Sequence, residues 1–144
     1  MHCIFRRLTS RDLPLVLHMN DDFRPGFITP DGAARFLADK HNWLFAALQG
    51  DEISAFAYGY ALDRLDGRRM LYIHEVGVHR GCQRQGIGTS LMESLKAAAQ
   101  SEGFCRLFLI AHQSNTAANA LYKKCGGIIS PDSGGNDTTW FFHL

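Results

Sequence analysis

The chain lacks any run approaching the roughly 20 consecutive apolar residues of a membrane-spanning helix, so no membrane partner is expected. It also lacks an excess of one charge. The formal net charge is +1, without the broad basic surplus of a general nucleic-acid binder. Metal-ligand spacing is missing as well. The seven histidines are scattered with no HxH or HxxxH pair. Cys3, Cys82, Cys105 and Cys125 fit neither a zinc site nor a CxxC redox pair. No metal is expected, and the cysteines read as free thiols of a cytoplasmic protein. The opening "MHCIFRRLTSRD" has no long apolar core followed by a small-residue cleavage site, so no secretory leader is expected. Repeats, linkers and low-complexity runs are absent too. What remains is 144 residues, 46% hydrophobic and 20% charged, which fits one ordinary globular domain over residues 1–144 with a real core.

The hydrophobic pattern orders the elements. "CIFRRLT" alternates as a strand. Ser10 or Asp12 is the expected cap of a short helix reaching His18, with Pro14 tolerated in its first turn. "NDDFRPGFITPDG" reads as a loop, and Asp31 as the cap of the helix "GAARFLADK". "WLFAAL" and "ISAFAYGYAL" read as a hairpin, followed by a turn and the strand "MLYIHEVGVH". Next comes a helix with Leu91, Met92, Leu95, Ala98 and Ala99 on one face and Gly103 at its end. "CRLFLIA" is nearly all apolar, which predicts burial on both faces. A helix from Ser114 or Asn115 to Gly126 or Gly127 and a final strand, "TTWFFHL", complete an α+β pattern around a mixed sheet.

The informative stretch is "HRGCQRQGIGTSLMESLK", residues 79–96. Gly86 and Gly88 lie after a strand and before an amphipathic helix. They do not make a nucleoside-triphosphate loop, because no lysine follows a glycine. Nor do they complete GxGxxG, because Leu91 holds the third glycine's place. They do fit [QR]xxGx[GA], starting at Gln83. Glycines there let the backbone approach a ligand closely. The free amides and positive dipole end of the following helix then suit an anion such as a pyrophosphate. Arg80 and Arg84 add positive charge nearby. Cys82, inside this stretch, reads as a small loop residue.

On "YIHEVGVHRGCQRQGIGTSLM" and "NTAANALYKKCGG" the chain resembles the GNAT superfamily of acetyl-CoA-dependent N-acetyltransferases, over nearly its whole length. The helix "PDGAARFLADKHNWLFAAL" and "LYKKCGG" narrow the likeness to small aminoglycoside 3-N-acetyltransferases and their relatives. The resemblance implies acetyl-CoA as co-substrate. It implies backbone contacts from Val76, Gly77 and Val78, a pyrophosphate loop of Gln83, Arg84, Gln85, Gly86, Ile87, Gly88 and Thr89, and Asn115 beside the pantetheine arm. Tyr122 matches the tyrosine that protonates the departing thiolate. Two departures stand out. A glutamate, Glu75, replaces the usual aspartate, and "CGG" replaces the commoner "GF". A final strand that pairs across a dimer axis is a further implication.

Amide formation from a thioester needs a neutral amine, a polarised carbonyl and a protonated leaving group. Glu75 is the candidate base. Strict alternation would set it on the face shared by Ile73 and Gly77, opposite Tyr72, His74 and Val76. His74 is the rival base. Asp21 and Asp22 are candidate contacts for a small cationic acceptor, aminoglycoside-like or polyamine-like. A protein or peptide acetyltransferase and an acetyl-CoA sensor without turnover are the alternatives.

Overall fold

The computed structural model describes residues 2–144. The strands are β1 Ile4–Arg7, β2 Asn42–Gln49, β3 Glu52–Asp63, β4 Arg69–Val78, β5 Arg106–His112, β6 Ile128–Ile129 and β7 Asp137–His143. The helices are α1 Leu13–Leu17, α2 Met19–Asp22, α3 Pro30–Ala38, α4 Ile87–Ser101 and α5 Thr116–Lys124. They build one sheet in the order β1-β2-β3-β4-β5-β7-β6. Every pairing is antiparallel except β4 with β5. This is the expected α+β mixed sheet. The outer edge of β7 is taken by β6, which pairs Ile128 and Ile129 with Phe141 and Trp140.

The two faces of the sheet carry two cores. Against α4 and α5 lie Trp43, Phe45, Leu71, Ile73, Leu107 and Leu109, closed by Leu91, Met92 and Leu95 of α4. Against α1–α3 lie Leu44, Ala46, Leu48, Ile53 and Phe56, closed by Val16, Met19 and Ala33. Period-two alternation along β2 and β3 sends neighbouring residues to opposite cores.

Several local expectations are corrected. Asp12 does stand at the N-cap position of α1 but makes no side-chain cap bond there; it bonds instead in a reciprocal capping box with Thr9, which caps the preceding helical turn Ser10–Asp12. Thr29, rather than Asp31, caps α3; its side chain accepts from the Gly32 N–H, and Pro30 takes the first helical position. The stretch read as loop from Asn20 begins inside a helical turn, α2. The apolar run at β5 is buried on one face only, and Ile110 is 49% exposed on the other. The reason is coverage. Helices α1 and α3 pack over β2 and β3, leaving Phe108 of β5 shielded by Tyr72 and Phe141 at ring distances of 5.2 and 6.1 Å.

The largest correction concerns β4. Tyr58 pairs with Glu75 but Gly59 pairs with Ile73, so His74 is an extra residue on β4, a β-bulge. Alternation reverses across it. Leu71 and Ile73 face α4 before the bulge, and Val76 and Val78 pack on that same core after it. Gly77 instead lies under the Phe56 ring of the opposite core. Glu75 therefore shares the α1–α3 face with Gly77 and is no longer on the face of Ile73. Gly59 makes the bulge possible, because a Cβ there would overlap the carbonyl oxygen of Tyr72.

Candidate active site

The parallel pairing of β4 with β5 stops at Ile73 and Leu109. Beyond it the strands part. β4 runs on to Val78 along β3, while β5 stays with β7. The N–H of His79 donates to the Ser54 carbonyl at 2.8 Å. Antiparallel bonding alternates, so Gly77 and Glu75 also turn their main-chain groups to β3. Val76 and Val78 turn theirs to the gap. There the Gln83 side-chain amide already donates to the Val78 carbonyl at 3.4 Å.

The gap leads into a cleft of about 650 Å³ between β4, the start of α4 and α5. Its closed end is the loop before α4. Arg84 and Gly86 both take positive φ, 64° and 78°, which curls the chain so that its amides converge. Gly86 caps α4 without a side-chain bond. The first internal bond runs from the Ser90 N–H to the Gly86 carbonyl. The N–H groups of Ile87, Gly88 and Thr89 thus have no partner within the helix, and they face the cleft with the positive end of a 15-residue helix dipole. The donor set fits a pyrophosphate.

On the far wall Asn115 caps α5, its side-chain oxygen accepting from the Ala118 N–H at 3.1 Å. Asn119 locks this helix down by donating to the carbonyls of His112 and Asn115 and accepting from the Trp140 indole at 2.8 Å. Gly126, at φ 87°, ends the turn, and the rings of Trp140 and Phe142 close over Gly127. Those two rings supply the aromatic contact that "CGG" itself lacks. Tyr122 sits between them, 6% exposed, and lines the cleft. Burial, and next the nearby Cys125, push its hydroxyl up to about 12. It stays protonated at neutral pH, as a proton donor must.

The structure thus gathers Val76, Val78, Gln83, Arg84, Gly86, Ile87, Gly88, Thr89, Asn115 and Tyr122 around one cleft. Cys82 lines it too, as do Leu121 and Lys124, which the sequence reading did not single out. Gln85 points away, into a separate hollow beside Cys3 and Gln49. Gly77 leaves room for Phe56. Asp21 and Asp22 border a hollow with His79, Arg80 and Gln83, at the pyrophosphate end of β4.

Glu75 emerges on the opposite face of the sheet. Both of its carboxylate oxygens accept from the Arg24 guanidinium, at 2.7 and 3.2 Å. Sequence reasoning missed this partner, which lies 51 residues away along the chain. Arg24 in turn stacks 3.9 Å over the Phe27 ring. His74 is exposed among the rings of Tyr58, Tyr60 and Tyr72, and its Nδ1 lies 3.2 Å from the Tyr72 hydroxyl.

Comparison with known proteins agrees with this architecture. The profile of the Acetyltransferase (GNAT) family matches residues 13–127, and the chain belongs to that family of acetyl-CoA-using transferases. No curated protein matches significantly. Solved structures show the same fold at low identity. An aminoglycoside acetyltransferase from an uncultured soil metagenomic sample, in complex with trehalose, is 23% identical with a TM-score of 0.75, covering 92% of this chain and 90% of its own. A ribosomal-protein alanine N-acetyltransferase from Escherichia coli is 24% identical with a TM-score of 0.70, covering 97% and 91%. The PaiA N-acetyltransferase of Thermoplasma acidophilum, in complex with coenzyme A, is 13% identical with a TM-score of 0.76, covering 100% of both chains.

Proposed function

We propose that this acetyltransferase moves the acetyl group of acetyl-CoA to the primary amine of a small cationic acceptor, the chemical class that includes aminoglycosides and polyamines. Attack is direct, with both substrates bound. The observation that carries the acceptor class is the Arg24–Glu75 pair. A carboxylate beside an aromatic face already holds a cation on the acceptor side of β4, which is how proteins recognise ammonium and guanidinium groups.

Acetyl-CoA supplies the activated thioester. The Val76 N–H, free at the gap, lies where it can polarise a carbonyl oxygen. Glu75, once released by Arg24, accepts a proton from the incoming ammonium, so that neutral nitrogen attacks the carbonyl carbon as the carbon–sulfur bond breaks. Tyr122 gives its hydroxyl proton to the departing sulfur, and the second proton shed by the acylated nitrogen returns through solvent to the tyrosinate, while Glu75 releases the first to bulk water. Placing base and acid on opposite sides of β4 separates the two proton transfers.

The test is release of free CoA from acetyl-CoA against a panel of aminoglycosides, polyamines, amino acids and short peptides, with Glu75→Ala run beside the natural chain. Turnover with cationic small amines, reduced about 100-fold or more in Glu75→Ala, is expected. Turnover confined to peptides, or unchanged in the variant, would sink the reading.

A further inference from the structure

The acceptor face holds a second concavity that the transfer chemistry does not use. It is a cavity of about 270 Å³ between α3 and strands β2 and β3, walled chiefly by Phe27, Phe36, Leu37, Leu44, Tyr58 and Tyr60. It opens to solvent, and its walls are mostly apolar, with Thr29, Tyr58 and Tyr60 adding hydroxyl-bearing side chains. Here Phe36 meets Tyr58 edge-on at 5.7 Å, and Phe27 tilts against Tyr58 at 6.4 Å. These contacting rings form one aromatic wall of an open slot.

Two of its walls join it to Glu75. Tyr58 is the cross-strand partner of Glu75. Burial and then the Glu75 charge hold its phenol in the protonated form. Phe27 carries the Arg24 guanidinium on its ring at 3.9 Å, with both Glu75 bonds made from that position. Arg24 is 54% exposed, and the chain beside it, Pro25 and Gly26, is exposed turn. An exposed cation of the protein's own therefore sits beside the slot, on the carboxylate that an acceptor ammonium would use.

We infer that the acceptor is a small primary amine bearing one compact apolar group, an arylalkylamine in kind. Its ring enters the slot and its ammonium replaces the Arg24 guanidinium at Glu75. A polyamine or aminoglycoside would bring several charges or hydroxyls to walls whose side-chain polar groups are few, those of Thr29, Tyr58 and Tyr60, which is less favourable than seating an aromatic ring. The inference narrows the acceptor class and rests on the acetyl-transfer reading for turnover. Binding of the amine does not depend on that reading.

The experiment compares 2-phenylethylamine with spermidine and a 2-deoxystreptamine aminoglycoside, by CoA release and by calorimetric binding to the CoA-loaded full chain. Ala33→Leu narrows the slot from α3 without touching Glu75 or the acetyl-CoA cleft, and Leu37→Ala widens it. Expected are a preference of ten-fold or more in kcat/KM for 2-phenylethylamine, lost in Ala33→Leu with acetyl-CoA affinity unchanged. Leu37→Ala should shift the preference toward 2-(naphthyl)ethylamine. Preference for spermidine or the aminoglycoside, indifferent to both variants, overturns the inference and leaves acetyl transfer standing. Preference for a peptide with an apolar amino terminus, with the same sensitivity to Ala33→Leu, overturns the small-amine assignment. If no amine releases CoA, the acetyl-transfer reading falls. Saturable 2-phenylethylamine binding abolished by Ala33→Leu would then still support the slot, and absence of binding would overturn it.

Discussion

The two sides of β4 are built from different materials. On the side proposed for acetyl-CoA the groups turned to the cleft are main-chain amides: Val76 and Val78 at the gap, and Ile87, Gly88 and Thr89 at the head of α4. On the side proposed for the acceptor they are side chains: Glu75, Arg24, Phe27 and Tyr58. A main-chain site needs only a backbone path, fixed by a few glycines and a helix start. It tolerates wide change in other residues. A side-chain site depends on which residues the fold happens to oppose, so it can be altered without touching the scaffold. That division explains how one fold is shared by relatives whose acceptors differ as much as an aminoglycoside and a ribosomal protein.

The bulge at His74 is the hinge between the two sides, and breaking it should have the largest effect. Gly59→Ala places a Cβ against the Tyr72 carbonyl. A loss of about 3 kcal/mol is expected, which lowers the melting temperature by roughly 6–12 °C. A calorimetric scan checks it, and a melting temperature within 2 °C or so of the natural chain would contradict the assigned role.

Tyr122→Phe probes the acetyl-CoA side alone. A fall in kcat of about ten-fold or more, with acetyl-CoA affinity nearly unchanged, is expected from steady-state rates and direct binding. The same variant has an alkaline signature. The folded hydroxyl titrates at about 12, against 10.0 in the ordinary case. Below pH 10 both folded and unfolded chains keep the proton. Between about pH 10 and 12 only the folded chain keeps it, so stability falls as pH rises through that window. Denaturant titrations at pH 9 and pH 11 should show a smaller loss in Tyr122→Phe than in the natural chain.

The smallest effect sharpens the contrast. Gly86→Ala forces an alanine to φ 78°, unfavourable by about 1 kcal/mol. Acetyl-CoA affinity should drop about five-fold, while 2-phenylethylamine binding stays unchanged. Equal losses for both ligands would mean that the two sides are not independent.

The amino-acid sequence alone determined the acetyl-CoA half. Gln83, Gly86 and Gly88 lie within six residues, between a strand and an amphipathic helix, and their geometry is local. The φ of Gly86 and the unpaired amides after it follow from neighbours along the chain. Tyr122 entered by another route, the likeness of "ALYKK" to the family's motif, while helical spacing gave only the face on which it lies. Only the tertiary structure decided the acceptor half. Glu75 was visible as a strand carboxylate, but its face was misassigned because one extra residue, opposed to Gly59, reverses the alternation. Its partner Arg24 stands 51 residues earlier in what reads as an ordinary turn. The slot exists only because α3 lies across β2 and β3 and ends short of β5. Local dihedral preference is written residue by residue. The meeting of distant side chains is set by packing, and by the single-residue register shift that the periodic pattern conceals.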